Sequence, residues 1–124
     1  MLNNINKVKN ILSKLIIATQ CFKKVLKIKK TKIALIILEL LQKEGFIYGY
    51  NVCSYNNNFY FVYLKYSGNI NCSLSKGLFL NKKIIFTNIN NFEKNSLYLI
   101  FNKRGFSINK INKKNIGCYV IIRF

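Results

Sequence analysis

One stretch of the chain, residues 31–50 (TKIALIILELLQKEGFIYGY), limits the possible folds more than any other, because it marks both the start and the end of a helix. Thr31 can accept a hydrogen bond from a backbone N–H at a helix N-terminus, and Gly45 can adopt the left-handed conformation that ends a helix. Between these two residues, apolar residues at the i, i+3, i+4, i+7 and i+8 positions of one helical side predict a buried face: Ile33, Ile36, Ile37, Leu40 and Leu41. Leu35 and Leu38 would lie at the edges of this face.

The rest of the chain predicts a first helix and a series of strands. Residues 3–19 carry an apolar stripe at helical spacing, whereas the lysine-rich stretch 21–30 fits either a short strand or a linker. The stretch 75–95 is the least regular, with an apolar run interrupted by Lys82 and Lys83 and a loop at 88–95. β-prone composition predicts further strands at 46–52, 59–66, 70–74, 96–101 and 117–124.

Aromatic residues are concentrated in the predicted strand 59–66 (FYFVYLKY). Such side chains can stack on nucleobases, but in most proteins they belong to the core. We therefore expect the aromatic residues of this strand to be core residues.

The net charge of +18, from 21 basic and 3 acidic residues, indicates a polyanionic partner. Nucleic acid is the most common partner of such a chain, and an anionic membrane surface is a less common one. Lysines are distributed along the chain rather than along one face of one amphipathic helix, which favours nucleic acid. The apolar run 33–41 is only nine residues long and contains Glu39, so it is far shorter than the roughly 18 residues of a membrane span.

The composition also indicates the kind of genome that encodes the protein. Asn, Ile and Lys each occur 19 times, whereas Pro, His and Trp are absent. Codons for the three abundant residues are rich in A and T, as in organelles and some parasites. The first ten residues contain neither arginine nor serine, unlike an import presequence. We therefore expect a protein made inside an organelle, with the mitochondrion as the first choice and the plastid as the second.

The residue types needed for catalysis are scarce. General acid–base chemistry needs titratable groups placed together, and the chain has three glutamates, no aspartate and no histidine. No C-x-x-C pair and no histidine are present to build a zinc site. We expect a binding protein rather than an enzyme, with no metal, no cofactor, no small-molecule substrate, and free, buried thiols at Cys21, Cys53, Cys72 and Cys118.

The segment 31–47 resembles the signature of the small-subunit ribosomal protein S8 family, in which Ser-Lys-Leu leads through an apolar helix to Lys-Glu-Glu-Gly-Phe-Ile. Here the start is TKI at 31–33 and the end is KEGFI at 43–47. The sequence LSKL at 12–15 is similar to the family's Leu-Thr-Arg-Ile, and LKY at 64–66 is similar to its Leu-Lys-Tyr. The resemblance extends over nearly the whole chain and is weakest at 75–95.

This resemblance implies an α+β fold. Residues 1–74 are expected to form an N-terminal lobe of two helices with a three-stranded sheet, and residues 75–124 a C-terminal lobe of mainly antiparallel strands. It also implies a structural protein of the small ribosomal subunit that binds the central domain of the small-subunit rRNA, helps it to fold, and contacts neighbouring ribosomal proteins. A basic protein of the membrane surface and an RNA-binding regulator outside the ribosome are the alternatives.

The expected RNA-binding residues combine this resemblance with the positions of the cations. The family's turn Ser-Thr-Ser-Lys-Gly is replaced by Phe-Asn-Lys-Arg-Gly at 101–105, which keeps the glycine and a cation but loses the hydroxyls. The family's later Gly-Gly-Glu is replaced by Gly-Cys-Tyr at 117–119. The candidates are Lys7, Lys14, Lys30, Thr31, Lys32, Asn102, Lys103, Arg104, Gly105, Lys110, Lys113, Lys114 and Gly117.

Overall fold

The computed structural model describes residues 2–66, 74 and 77–124. Two compact units are present, Met1–Lys76 and Gly77–Phe124. Within the described residues, the first unit has two α-helices and a three-stranded antiparallel sheet, and the second has a four-stranded antiparallel sheet. The predicted α+β fold is therefore confirmed. The helices are α1 (Leu2–Gln20) and α2 (Lys32–Lys43), and the strands are β1 (Val25–Lys29), β2 (Ile47–Val52), β3 (Phe59–Leu64), β4 (Leu78–Lys83), β5 (Tyr98–Asn102), β6 (Gly105–Asn109) and β7 (Tyr119–Arg123).

Helix α1 buries the stripe that its sequence predicts. The buried polar residue Thr19 donates its hydroxyl to the Ile16 carbonyl at 2.7 Å, so it has a partner inside the apolar surface. Burying each large aliphatic side chain contributes about 1.5–3 kcal/mol relative to leaving it in water. All seven residues of the predicted stripe are at most 9% exposed: Ile5, Val8, Ile11, Leu12, Leu15, Ile16 and Thr19.

The start and the end of α2 have the predicted cap geometry. The Thr31 hydroxyl oxygen accepts a hydrogen bond from the Ala34 backbone N–H at 3.0 Å. Gly45 has φ +82°, and its N–H donates to the Gln42 carbonyl while the next residue, Phe46, donates to the Leu41 carbonyl at 2.9 Å. These two hydrogen bonds form a Schellman motif, which ends the helix and turns the chain into β2.

The buried face of α2 differs from the predicted one. Ile36 is 41% exposed, whereas Leu38, expected at the edge, is completely buried. The run 33–41 is almost entirely apolar, so two neighbouring faces have helical spacing and the sequence pattern does not choose between them. Packing against α1 and β2 determines which face is buried. It is the face centred on Leu38, with Ala34, Ile37, Leu38 and Leu41 as its buried residues.

The first sheet has the strand order β1-β3-β2, with β3 at its centre. The strands predicted at 46–52 and 59–66 are confirmed as β2 and β3, and the ambiguous stretch 21–30 contains β1. Tyr60, Val62 and Leu64 of β3 are at most 5% exposed. The predicted strand 70–74 lies outside the described residues except for Leu74.

A half-buried tyrosine, Tyr50, couples this sheet to α2. The Tyr50 hydroxyl is hydrogen-bonded to the Glu39 carboxylate. Burial raises the pKa of Tyr50 above its ordinary value, and the negative charge of Glu39 raises it further. Tyr50 therefore holds its proton more tightly in the folded protein than in the unfolded chain.

The second sheet has the strand order β4-β7-β5-β6, so the last strand of the chain lies in its interior. The predicted strands near 96–101 and 117–124 are confirmed as β5 and β7. Strand β4 continues through Lys82 and Lys83, which were expected to interrupt it, because both lysines are exposed on an edge strand. Strand β6 was not predicted from the sequence. A core cluster holds the unit together, with Ile84, Phe92, Tyr98, Ile100, Ile111 and Val120 as its buried members.

The three thiols of the described residues are free, but they are not all buried. Cys53 is buried and Cys118 is half-buried, whereas Cys21 is exposed, contrary to expectation, because it lies in the turn that follows α1. Cys72 lies outside the described residues. In the part of the chain that the structure describes, neither helix has the length and apolarity to cross a membrane.

Candidate nucleic-acid interface

The tip of the β5–β6 hairpin is a four-residue turn, Asn102 to Gly105, that carries two adjacent cations. The side-chain oxygen of Asn102 accepts from the Arg104 backbone N–H at 2.8 Å, which fixes the turn from within. Gly105 has φ +118°, a conformation that strains any residue with a Cβ atom. Lys103 and Arg104 are both exposed, so the hydrogen-bonded turn presents two cations to solvent.

A second hydrogen-bonded loop precedes β7. Asn112 and Asn115 form a reciprocal capping box around the 3-10 turn Lys113–Asn115: the Asn112 side chain accepts from Lys114 N–H at 2.9 Å, and the Asn115 side chain accepts from Asn112 N–H at 2.9 Å. Gly117 follows with φ +94° and donates its N–H to the Ile84 carbonyl at 2.8 Å. The loop is thereby attached to the end of β4.

The sheet places these two segments side by side. Strands β5 and β7 are antiparallel neighbours, and Phe101 pairs with Tyr119, so the end of β5 lies beside the start of β7. The hairpin tip therefore faces the loop that precedes β7. Together they line an open concavity of about 430 Å³, which we call the cationic groove; its lining residues are Asn102, Lys103, Arg104, Lys114, Ile116, Gly117 and Cys118.

The charge around the cationic groove is positive because the acidic residue of this unit lies at the other end of the sheet. The second unit contains nine basic residues and one acidic residue, Glu93. Glu93 donates its backbone N–H to the Tyr98 hydroxyl at 2.9 Å, and its carboxylate lies 3.8 Å from the Arg123 guanidinium. Tyr98 begins β5 and Asn102 ends it, so Glu93 and the groove are separated by the length of that strand, about 13 Å.

Three further expected residues of this unit lie outside the lining of the groove. Gly105 closes the hairpin turn, and Lys113 is exposed next to Lys114 in the 3-10 turn. Lys110 directly follows Asn109, which pairs with Tyr98 at the opposite end of the hairpin. The structure therefore brings Asn102, Lys103, Arg104, Lys114 and Gly117 together in one concavity and leaves Lys110 apart from it.

The expected residues of the first unit form two exposed sets. Lys7 and Lys14 lie two helical turns apart on the side of α1 that faces away from its buried stripe. Lys30, Thr31 and Lys32 lie at the start of α2, where the first turn contains no acidic residue. The positive end of the helix dipole adds to the two lysines there.

Two residues of the groove were not expected from the sequence. Ile116 and Cys118 line it beside Gly117, and Ile116 is 42% exposed. The signal that could have indicated the loop before β7 is the pair Asn112 and Asn115, because asparagines three residues apart can form a capping box. Asparagine is so abundant in this chain that the signal is weak at the sequence level.

A family model, Ribosomal protein S8, matches residues 6–121. The chain belongs to the ribosomal protein S8 family. The match covers both compact units, including α2, the hairpin tip and the loop before β7. The protein is thus a ribosomal protein of the small subunit, from a family of structural rather than catalytic proteins, and its partners are rRNA and other ribosomal proteins. A search of curated proteins finds no match to the chain.

Proposed function

We propose that this S8 family protein binds a stem in the central domain of the small-subunit rRNA through the cationic groove, and that this binding supports folding of the RNA during subunit assembly. The observation that carries the proposal is the convergence of Lys103, Arg104 and Lys114 in one concavity whose nearest acidic residue within the same unit lies at the far end of the sheet. Double-stranded RNA has a deep, narrow major groove, so proteins recognise it mainly through phosphates, 2′-hydroxyls and distorted positions.

The residues of the groove have different roles in this proposal. Arg104 can hold a phosphate with two parallel hydrogen bonds, whereas Lys103 and Lys114 act as point charges. Asn102 uses its side-chain oxygen to fix the turn, which leaves its amide nitrogen to donate to the RNA. Gly105 and Gly117 have no Cβ atom, so backbone and RNA can approach closely at both positions.

Cations of the first unit would add phosphate contacts. Lys30 and Lys32 flank Thr31 at the positive end of α2, a location that favours phosphate. Lys7 and Lys14 would add to this from the exposed side of α1, and Lys110 and Lys113 from the second unit. The slope of log affinity against log salt concentration measures the number of such contacts, because each neutralised phosphate releases counterions.

The proposed place of action is the ribosome of a mitochondrion, with a plastid ribosome as the second choice. The equal abundance of Asn, Ile and Lys supports an AT-rich organellar genome. Isolation of mitochondrial and plastid ribosomes from the source cells, followed by mass spectrometry of their small subunits, tests this directly. Peptides of the chain are expected in the mitochondrial small subunit, and their detection only among cytosolic ribosomes would contradict the assignment.

RNA binding is tested with the purified chain and a stem from the central domain of the small-subunit RNA of the same organelle. Changing Lys103, Arg104 and Lys114 together to alanine should weaken binding strongly, because three cations of the groove are lost. Unchanged stem binding would remove the groove from the interface. Co-sedimentation with anionic vesicles, in the absence of any RNA binding, would favour a membrane-surface role instead.

A further inference from the structure

The outward face of the first sheet carries aromatic rings that are not part of the core. Along β3, side chains alternate between the two faces of the sheet. Tyr60 and Val62 are buried on the inner face, whereas Phe59 and Phe61 are half-buried and Tyr63 is 36% exposed on the outer face. We call the outward residues of β1 and β3 the open sheet face: Val25, Lys27, Lys29, Phe59, Phe61 and Tyr63.

Lysines of β1 lie directly beside these rings. The register pairs Lys29 with Phe59 and Lys27 with Phe61. The Lys27 ammonium lies 4.3 Å from the centre of the Phe59 ring, within the range of a cation–π contact. At the other edge, the Tyr63 hydroxyl donates to the Asn51 side-chain oxygen at 3.2 Å, which holds the tyrosine ring in place across β2.

We propose that the open sheet face binds unpaired nucleotides of RNA, with bases stacked on Phe61 and Tyr63 and phosphates held by Lys27 and Lys29. Alternate residues of a strand are about 6.8 Å apart. Successive bases of a stacked strand are separated by about 3.4 Å, half that distance. Two neighbouring bases can therefore occupy both rings only when they are unstacked from each other, which selects single-stranded RNA.

The positive charge of the open sheet face favours a nucleic-acid ligand. Strands β1, β2 and β3 contain no acidic residue, and the two outward cations of β1 stand next to the rings. Aromatic rings on the central strand of a sheet, bordered by cations, form a stacking platform for single-stranded nucleic acid. This site rests on the proposed function only in the premise that the protein binds RNA. The open sheet face lies in the first compact unit and the cationic groove in the second. The face would bind unpaired nucleotides, whereas the groove would bind a stem.

The test uses the full chain and two fluorescein-labelled RNAs, a ten-nucleotide oligouridine and the central-domain stem, with fluorescence anisotropy as the readout. The variant Phe61→Leu/Tyr63→Leu keeps apolar side chains on the strand but removes both rings. Stacking contributes about 1–3 kcal/mol per base, so its affinity for oligouridine should fall about tenfold or more. Phe61→Tyr keeps a ring and should bind nearly as well as the unchanged protein. Phe86→Leu removes a 79% exposed ring from the second unit and serves as the matched control.

A fluorescent reporter gives an independent measurement. The chain contains no tryptophan, so Phe61→Trp introduces a single one. Its emission should be quenched by oligouridine if a base stacks on it. Unchanged emission at saturating RNA, or equal affinity of the leucine variant and the unchanged protein, would overturn the proposal and leave the face to a protein partner.

The two RNA sites fail in distinguishable ways. Lys103→Ala/Arg104→Ala should weaken binding of the stem and leave the quenching by oligouridine intact. Loss of stem binding in the groove variant, together with no effect of the leucine variant on oligouridine, would refute the open sheet face alone. Unchanged stem binding by the groove variant, together with weaker oligouridine binding by the leucine variant, would refute the groove alone.

Discussion

Removal of the two cations at the hairpin tip, by Lys103→Ala together with Arg104→Ala, should change the salt dependence of RNA binding by a predictable amount. Both side chains line the cationic groove and are exposed. Each phosphate contact contributes about 0.7–0.9 to the slope of log affinity against log salt concentration. The double variant should therefore flatten that slope by up to about 2, if each cation meets one phosphate.

The assay is anisotropy of the labelled central-domain stem at four or five KCl concentrations, with the unchanged chain and two variants. Lys82→Ala/Lys94→Ala removes the same number of charges from the second unit. Lys82 lines a different concavity, together with Tyr98 and Arg123, and Lys94 follows Glu93 at the far end of the sheet. If only net charge matters, both variants will flatten the slope equally, and that result would refute the assignment of the contacts to the groove.

Three further predictions test the fold. Thr31→Ala removes the oxygen that accepts from Ala34 and should lower the free energy of unfolding by about 1 kcal/mol in urea titrations, whereas Thr31→Ser should restore most of it. Leu38→Ala should lower the free energy of unfolding by about 2–5 kcal/mol and Ile36→Ala by about 0.5 kcal/mol or less, and equal losses would contradict the observed face of α2. Because the pKa of Tyr50 is raised in the folded state, its contribution to stability is complete below the tyrosine pKa of the unfolded chain, about 10, and is lost as the pH rises through the folded pKa. The free energy of unfolding of Tyr50→Phe should therefore fall less than that of the unchanged chain as the pH rises above about 10. Parallel pH profiles of the two proteins would contradict this.

The local signals of the sequence predicted the parts of the fold that depend on local physics. Thr31 and Gly45 predicted the two ends of α2 because a cap and a left-handed glycine are properties of a few neighbouring residues. The stripe of α1 predicted its buried face because its polar residues leave only one continuous apolar side, with Ile17 isolated on the exposed side. In α2 the apolar residues lie on two sides, and only contact with other elements decides which side is buried.

Long-range pairing accounts for what the sequence did not predict. Strand β6 has only Phe106 and Ile108 as large apolar residues, and it forms because β5 pairs with it through the turn at Lys103 and Arg104. The interior position of β7 depends on pairing with β4 and β5, which no local pattern encodes. The family resemblance indicated the hairpin turn as a candidate site, but the neighbouring Ile116 and Cys118 emerge only from the packing of β5 beside β7.

The aromatic strand shows the same division between local and long-range physics. Its β-propensity predicted a strand, and Tyr60 is a core residue as expected. The expectation that the aromatic residues of this strand are core residues is wrong for the outward rings: Phe59 and Phe61 are half-buried and Tyr63 is 36% exposed. The two helices cover only one face of a three-stranded sheet, and the alternation of the strand places Tyr63 on the other.

The measurement that tests the central claim most directly is binding of the purified chain to a central-domain fragment of the small-subunit RNA of its own organelle, in competition with an unrelated duplex of equal length, at a low and a high salt concentration. Specific recognition predicts that the preference for the fragment persists at the higher salt, because contacts to distorted positions are less sensitive to salt than phosphate contacts. Equal binding of both RNAs, fading equally with salt, would contradict it and leave only the attraction of a +18 chain for any polyanion.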